Sequence, residues 1–162
     1  MFREMRRKKQ LLPEEVSIRV LENNTSGVLA VYGDEGYPYA VPLSYVYDDF
    51  KIYFHSALSG HKLDAIKSNP KVSFCVIDQD EIVPEKYTTY FRSVIVFGNT
   101  KILEDETEKR QAIEKLAAKY SPNQAQGRKE EIEKSAKHLC MIELSIDYMT
   151  GKEAIELVLK NQ

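Results

Sequence analysis

The sequence predicts a mainly β protein of the α+β class, an antiparallel barrel of six strands with short helices at its periphery. Three observations lead there. Short runs of alternating side chains are joined by tight turn signals such as Asp34-Glu35-Gly36 and Asp48-Asp49, the mark of hairpins. The helical patterns are short and fall between or after strands without a strand–helix–strand rhythm, which argues against a doubly wound parallel sheet. One strand carries two prolines, Pro38 and Pro42, and so reads as an edge, as bulged, or as bordering something other than another strand.

The elements follow in order. LLPEEVSIRVLENN starts a helix at Pro13 with Glu14 and Glu15 at its positive end, Val16, Val20 and Leu21 on one face, and Asn23-Asn24 as its stop. GVLAVYGDEGYPYAVPLSYVYDDFKIYFHS reads as three strands. In the second, Tyr37, Tyr39, Val41, Leu43, Tyr45 and Tyr47 form a large face, and Pro38, Ala40, Pro42, Ser44 and Val46 a small one. GHKLDAIKSNP is a short helix with Leu63 and Ile66 inward, and KVSFCVID is a strand. An irregular stretch, QDEIVPEKYTTYF, leads into the long strand RSVIVFGNTKILED, with Gly98 at a bulge or bend. Asp105 and Glu108 form a capping pair for a helix whose buried face is Ile113, Leu116, Ala117 and Tyr120. SPNQAQGRKEEIEKSAKH is a loop and a weakly anchored helix. In HLCMIELSIDYM, Cys140, Ile142, Leu144, Ile146 and Tyr148 share one face, opposite Glu143, Ser145 and Asp147. Thr150 and Glu153 then cap a final helix, KEAIELVLK.

The 162 residues suit one domain, 1–162, large enough to bury a core without staples. A net charge of -2 provides no field for nucleic acid or a membrane surface, and no apolar run is long enough to span a bilayer. The basic opening MFREMRRKKQ has no apolar signal core behind it and reads as a solvated arm, with an anionic partner as the alternative. Cys75 and Cys140 are expected as buried thiols of a soluble, cytoplasmic protein. The 10 Tyr and 6 Phe, with no Trp, leave two accounts open for the tyrosines between 32 and 53: core residues with wet hydroxyl tips, or walls for a planar ligand.

Chemistry-bearing residues gather at the strand-to-helix junction HSALSGHK, from His55 to Lys62. A helix starting near Gly60 offers unpaired amides and a positive dipole end, with Ser56 and Ser59 as hydroxyl donors and His61 and Lys62 as charge. Every group suits a phosphate monoester. The Walker and Rossmann fingerprints are absent. No metal site is expected, since His55 and His61 lie six apart with only His138 besides and no nearby cysteine. Nor is there a G-x-S-x-G elbow for a nucleophilic serine. A structural alternative remains, with Ser59 capping the helix and His55 satisfying a backbone group. The proline-interrupted AVPLSY segment, one hairpin away, adds a free strand backbone on which a flat heterocycle could hydrogen-bond.

In order along the chain, VPLSY, HSA-x-x-GHK and Y-x-R-S-V-x-V-x-G together resemble the FMN-binding split-barrel flavoproteins related to pyridoxamine 5'-phosphate oxidase, and most closely their nitroimidazole-resistance group. The resemblance implies a six-stranded split barrel, a homodimer, and FMN in a groove between the subunits. It implies that Val41, Pro42, Leu43 and Ser44 lie along the flavin ring. His55, Ser56, Gly60, His61 and Lys62 would hold the ribityl and phosphate end, and Tyr90, Arg92 and Ser93 would complete the site, in part from the partner subunit. The implied activity is an FMN-dependent reduction of a small planar substrate, nitroaromatic or quinone-like, with NAD(P)H as donor. For the protons that such a reduction needs, the histidine chemistry of His55 makes it the candidate donor, with binding of flavin or phosphate alone as the alternative. The basic residues that phosphate-oxidase members use for their vitamin substrate have no counterpart in the C-terminal part. The alternatives are a flavin-binding electron-transfer or sensor module without turnover, or a split barrel binding haem or a deazaflavin.

Overall fold

Seven strands, one more than expected, form an antiparallel sheet in a computed structural model that describes residues 1–160. They are β1 (Ser26–Tyr32), β2 (Pro38–Ser44), β3 (Val46–Asp48), β4 (Lys51–Ser56), β5 (Lys71–Val83), β6 (Thr88–Ile102) and β7 (Cys140–Glu153), in the spatial order β2-β1-β5-β6-β7-β4-β3. The sheet curls into a split barrel. The helices are α1 (Glu14–Asn23), α2 (His61–Ser68), α3 (Glu106–Tyr120), α4 (Ala125–Ser135) and α5 (Ile155–Lys160).

The additional strand arises at Tyr45. The long second strand expected from the alternation breaks there, because the Tyr45 amide donates to the Tyr120 hydroxyl (3.0 Å) and not to a neighbouring strand. Its own hydroxyl donates to the Leu21 carbonyl (2.7 Å), and its side chain is fully buried. The segment thus ends one edge of the sheet, β2, and begins the other, β3. The proline-bearing β2 is an edge strand, as its composition requires.

The barrel interior packs Leu29, Phe54, Phe74, Val76, Val94 and Ile142, closed by Leu21 of α1 and by Leu63 and Ile66 of α2. A second core lies outside the barrel, where Ile113 and Leu116 of α3 and Ile132 of α4 cover Val46, Tyr53 and Met141. Strands β4 and β7 are therefore buried on both faces at their centres, which places Met141 and Glu143 inside as well as Ile142 and Leu144. Ile132 is the one residue of α4 that is buried, in keeping with the weak anchoring expected of it.

Two one-residue bulges correct the expected faces. Opposite Phe97 and Gly98 the register of β7 skips Asp147, which turns Tyr148 to the outer face beside Phe97 and brings Met149 against the interior core. Gly98 is required there, since a Cβ would stand 2.1 Å from the Ser145 carbonyl oxygen. Between Ile77 and Gln79 the register skips Asp78. Beyond that bulge β5 and β6 continue as paired strands to the turn Pro84–Lys86, so the stretch read as irregular is a long hairpin. The expected cap of the last helix also fails. Thr150 pairs with Ile95 inside β7, Glu153 ends that strand, and α5 begins at Ile155. Asp105 does cap α3, accepting from the Thr107 and Glu108 amides, while Glu108 turns to Lys101 (3.4 Å) and leaves the capping pair half made. Both cysteines are free. Cys140 is buried and Cys75 only partly so.

The displaced Asp78 and the buried Glu153 converge on Arg92. Its Nη2 lies 2.9 Å from Glu153 Oε2, its Nη1 lies 3.2 Å from Asp78 Oδ2, and Asn24 donates to the other Asp78 oxygen at 2.9 Å. Burial opposes the charge on Arg92, yet the bonds and charges of Glu153 and Asp78 outweigh it and raise its pKa. Arg92→Ala strands Glu153 without a partner and is expected to cost about 3 kcal/mol in urea unfolding, with the double variant Arg92→Ala/Glu153→Gln recovering much of that loss.

Burial first, then the charge of Glu143, pushes the Tyr53 phenol up to about 12 from 10.0. Burial, then the charges of Tyr120 and Asp78, pushes Tyr45 up too. The folded chain holds protons that the unfolded chain releases, so this stability is complete below pH 10.0 and is lost as the pH rises to about 12. Urea midpoints across that window are expected to fall less steeply for Tyr53→Phe than for the parent.

Candidate functional site

The loop after β4 delivers the chain to α2 through Gly60, whose φ of 132° lies where side-chain-bearing residues rarely go. Gly60 occupies the N-cap position, and no side chain caps the helix, Ser59 included. The Gly60 carbonyl accepts from the Leu63 (2.9 Å) and Asp64 (3.1 Å) amides, so those of His61 and Lys62 have no partner within the helix. Lys62 is half-buried. Among the described residues it has no carboxylate against it, and burial lowers its pKa, with Cys140 acting weakly the other way. Cys140 is also the cross-strand partner of Ser56, whose buried side chain ends β4. An unneutralised, partly desolvated ammonium at an uncapped helix start is a site for an anion.

His61 turns toward the β1–β2 connection. Its ring stacks on Tyr39 of β2 (4.3 Å between centroids, 17°), and its Nε2 accepts from the Asp34 amide at 3.4 Å. This contact joins the edge strand to the junction, as the proximity of AVPLSY to HSALSGHK requires. Along β2, Val41 and Leu43 lean on the interior core, whereas Pro42 and Ser44 are exposed. As the end of the sheet, β2 pairs with β1 alone, so one of its sides carries backbone groups with no strand beside them.

Strand alternation separates His55 from Ser56. His55 is exposed on the outer face and, with Ser44, lines a cleft of about 370 Å³ walled by α3 and α4. Among the described residues neither ring nitrogen of His55 has a hydrogen-bond or ion-pair partner, so it satisfies no backbone group. The walls of this cleft escaped the sequence reading. The spacing of Leu116 and Tyr120 marks a buried helical face, but nothing local says that the face opposes His55.

Tyr90, Arg92 and Ser93 lie apart from these residues within the chain. Lys86 donates to the Tyr90 hydroxyl (2.9 Å), and Arg92 is enclosed by Asp78 and Glu153 in a different cleft, beneath α1. Ser93 pairs with Ile77 on the outer face, where Val28, Ile77, Ile95 and Phe97 form an exposed apolar surface. Phe2 stacks there on Tyr148 at 4.7 Å. Among the described residues no three His, Cys, Asp or Glu side chains gather as metal ligands, and no helix is long and apolar enough to cross a membrane.

Residues 13–153 match the family model described as pyridoxamine 5'-phosphate oxidase. Nothing among curated proteins matches the chain. Among solved structures, the chain is similar to a candidate 5-nitroimidazole antibiotic resistance protein from Bacteroides thetaiotaomicron (TM-score 0.75, 21% identity, 88% of this chain and 86% of that one). It is also similar to a FAD-binding protein from Mesorhizobium loti (0.64, 25%, 89% and 95%) and to a FAD and haem binding protein from Mycobacterium smegmatis (0.74, 19%, 90% and 73%). The matched span runs from the start of α1 to the end of β7 and takes in the whole sheet, and the chain belongs to the pyridoxamine 5'-phosphate oxidase family.

Proposed function

We propose that this protein is an FMN-dependent oxidoreductase that reduces a small planar substrate, nitroaromatic or quinone-like, with NAD(P)H as donor. The observation that carries the reading is Lys62, a partly buried cation without a carboxylate partner, at the uncapped start of α2 and one stacked ring from the edge strand. The residues fit the group. The Lys62 ammonium and the amides of His61 and Lys62 suit its phosphate, and Ser56 suits the ribityl chain. The free side of β2 over Val41–Ser44 suits the amide-like edge of its ring. FMN, when bound, supplies the acceptance and release of an electron pair. The chain's part is to hold that group, to present one side of it to a small molecule, and to keep a proton on a His55 ring nitrogen near its edge.

The proposed assembly is a homodimer. The apolar surface of Val28, Ile77, Ile95 and Phe97 is exposed in a single chain apart from the Phe2 ring against Phe97, and a second copy over it would remove it from water. Arg92, already neutralised by two carboxylates, is assigned to the fold and not to the phosphate. The main competing reading is a flavin-binding module without turnover, and anaerobic bleaching of the bound flavin by a nicotinamide donor separates the two.

The purified protein is expected to be yellow and to release FMN by mass on heating. Lys62→Ala should weaken FMN binding about tenfold or more in a fluorescence titration, through loss of a charged contact. An unchanged affinity refutes the cradle. His55→Ala should keep FMN occupancy and lose roughly 10²-fold in turnover, and equal losses in both would assign His55 to binding alone.

A further inference from the structure

We propose that the cleft between α3, α4 and the outer face of β4 is the substrate site of this reaction, and that it selects flat, uncharged molecules against phosphorylated ones. The assignment rests on the flavin reading, because Ser44 and His55 belong both to the cleft and to the residues set against the cofactor.

Charge is the first argument. The cleft has no lysine or arginine in its lining, and its titratable groups besides Tyr120 are His55 and Glu131. The Glu131 carboxylate accepts from the Ser135 hydroxyl and faces no cation across the cleft. A phosphate or carboxylate entering here would shed water, meet no compensating charge and approach a carboxylate. The contrast with Lys62 is direct. The anion-binding group sits at the start of α2, and the surface without a cation sits on the other side of β4.

The walls supply the second argument. Leu116, Ile132 and Met141 are aliphatic and buried. Tyr120 also lines the cleft, but its hydroxyl donates to the Thr25 carbonyl and accepts from the Tyr45 amide, so its contribution is an aromatic ring. Besides Glu131 and the Ser135 hydroxyl bonded to it, the polar groups facing the cleft are the His55 ring and the Ser44 hydroxyl, neither of which has a side-chain partner among the described residues. Two hydrogen-bonding groups at the edge of an apolar slot suit a flat molecule with a nitro or carbonyl oxygen at one end. The volume of about 370 Å³ lies at the small end of the range for ligand pockets. The outer wall, α4, buries only Ile132 and has no side-chain cap, and it is tied to α3 and the loop before it by Arg110 with Glu133 (3.8 Å) and by Arg128 donating to the Ser121 and Pro122 carbonyls.

The test is calorimetric titration of the full FMN-loaded chain with menadione, a flat uncharged quinone, and with pyridoxal 5'-phosphate. Ala117→Trp, which puts an indole into the cleft, is expected to weaken menadione binding at least tenfold with FMN affinity unchanged. Pyridoxal 5'-phosphate should bind the parent at least tenfold more weakly than menadione. The assignment is overturned if Ala117→Trp leaves menadione binding unchanged, if the phosphorylated probe binds as tightly, or if FMN binds and menadione does not. Should Ala117→Trp fail to fold, the amide shifts that menadione induces in the parent decide. Changes centred on Leu116, Tyr120 and Ile132 sustain the site, and changes confined elsewhere remove it. A chain that takes up no FMN yet binds menadione in the cleft would overturn the flavin reading and with it the assignment as a substrate site, while leaving a site for flat uncharged ligands.

Discussion

A sheet that curls back on itself must bring its two edges together, and here the edges are consecutive pieces of one chain, β2 and β3, with Tyr45 between them. Two bonds hold that residue. Its hydroxyl donates to the Leu21 carbonyl in the last turns of α1, and its amide donates to the Tyr120 hydroxyl at the end of α3. Because Tyr45 cannot lie in a ladder, β2 stays an open edge and β3 is free to pair with β4. The free backbone of β2, the double burial of β4, and the seating of α3 over His55 all descend from that break. Lys119 lies over the Tyr45 ring (4.3 Å to its centroid), and burial lowers the pKa of this lysine, so a cation also packs against the joint.

Much of this arrangement is legible in the sequence. Pro38 and Pro42 identify an edge strand because neither can donate to a ladder. Gly98 marks a bulge, and Asp105 a helix start. Asp48-Asp49 marks a hairpin, with Asp49 and Phe50 both at positive φ. What escapes has a common cause. Alternation continues smoothly through Tyr45 and through Asp147, so a two-residue period gives no sign that the strand breaks at one and skips a residue at the other. Each event is set by a partner far along the chain: Tyr120 for the first, Gly98 and Phe97 for the second. The misplaced cap at Thr150 and Glu153 is the same kind of error. A capping motif is local, whereas the bond that claims Glu153 comes from Arg92, 61 residues away.

The candidate site shows the same division. His55 to Lys62 could be read as a phosphate-type junction because its chemistry is contiguous. Its geometry was less accessible. Alternation puts His55 and Ser56 on opposite faces, and only the fold reveals that the face of His55 belongs to α3 and α4. Arg92 looks like a free cation in the sequence and is neutralised in the structure by two carboxylates, one of them positioned by a bulge. The charges near the junction are thus sorted. Lys62 is left without a carboxylate partner on one side of β4, a slot without lysine or arginine opens on the other, and Arg92, in a separate cleft, is held by Asp78 and Glu153.

The double burial of β4 also bears on how the chain reaches this state. Lys51 and Glu143, bonded across β4 and β7, are 92 residues apart. The β3–β4 hairpin is short and carries Ile52, Tyr53 and Phe54, whose cover is complete on both faces only when β7 pairs and α3 docks. The strands β1, β2, β5 and β6 can assemble from segments nearer in sequence, but the barrel cannot shut before its last strand arrives. Loop-closure entropy makes so distant a pairing slow. Until it forms, an apolar hairpin stands open to wrong partners, and the protein's exposure to aggregation lies in the time before closure.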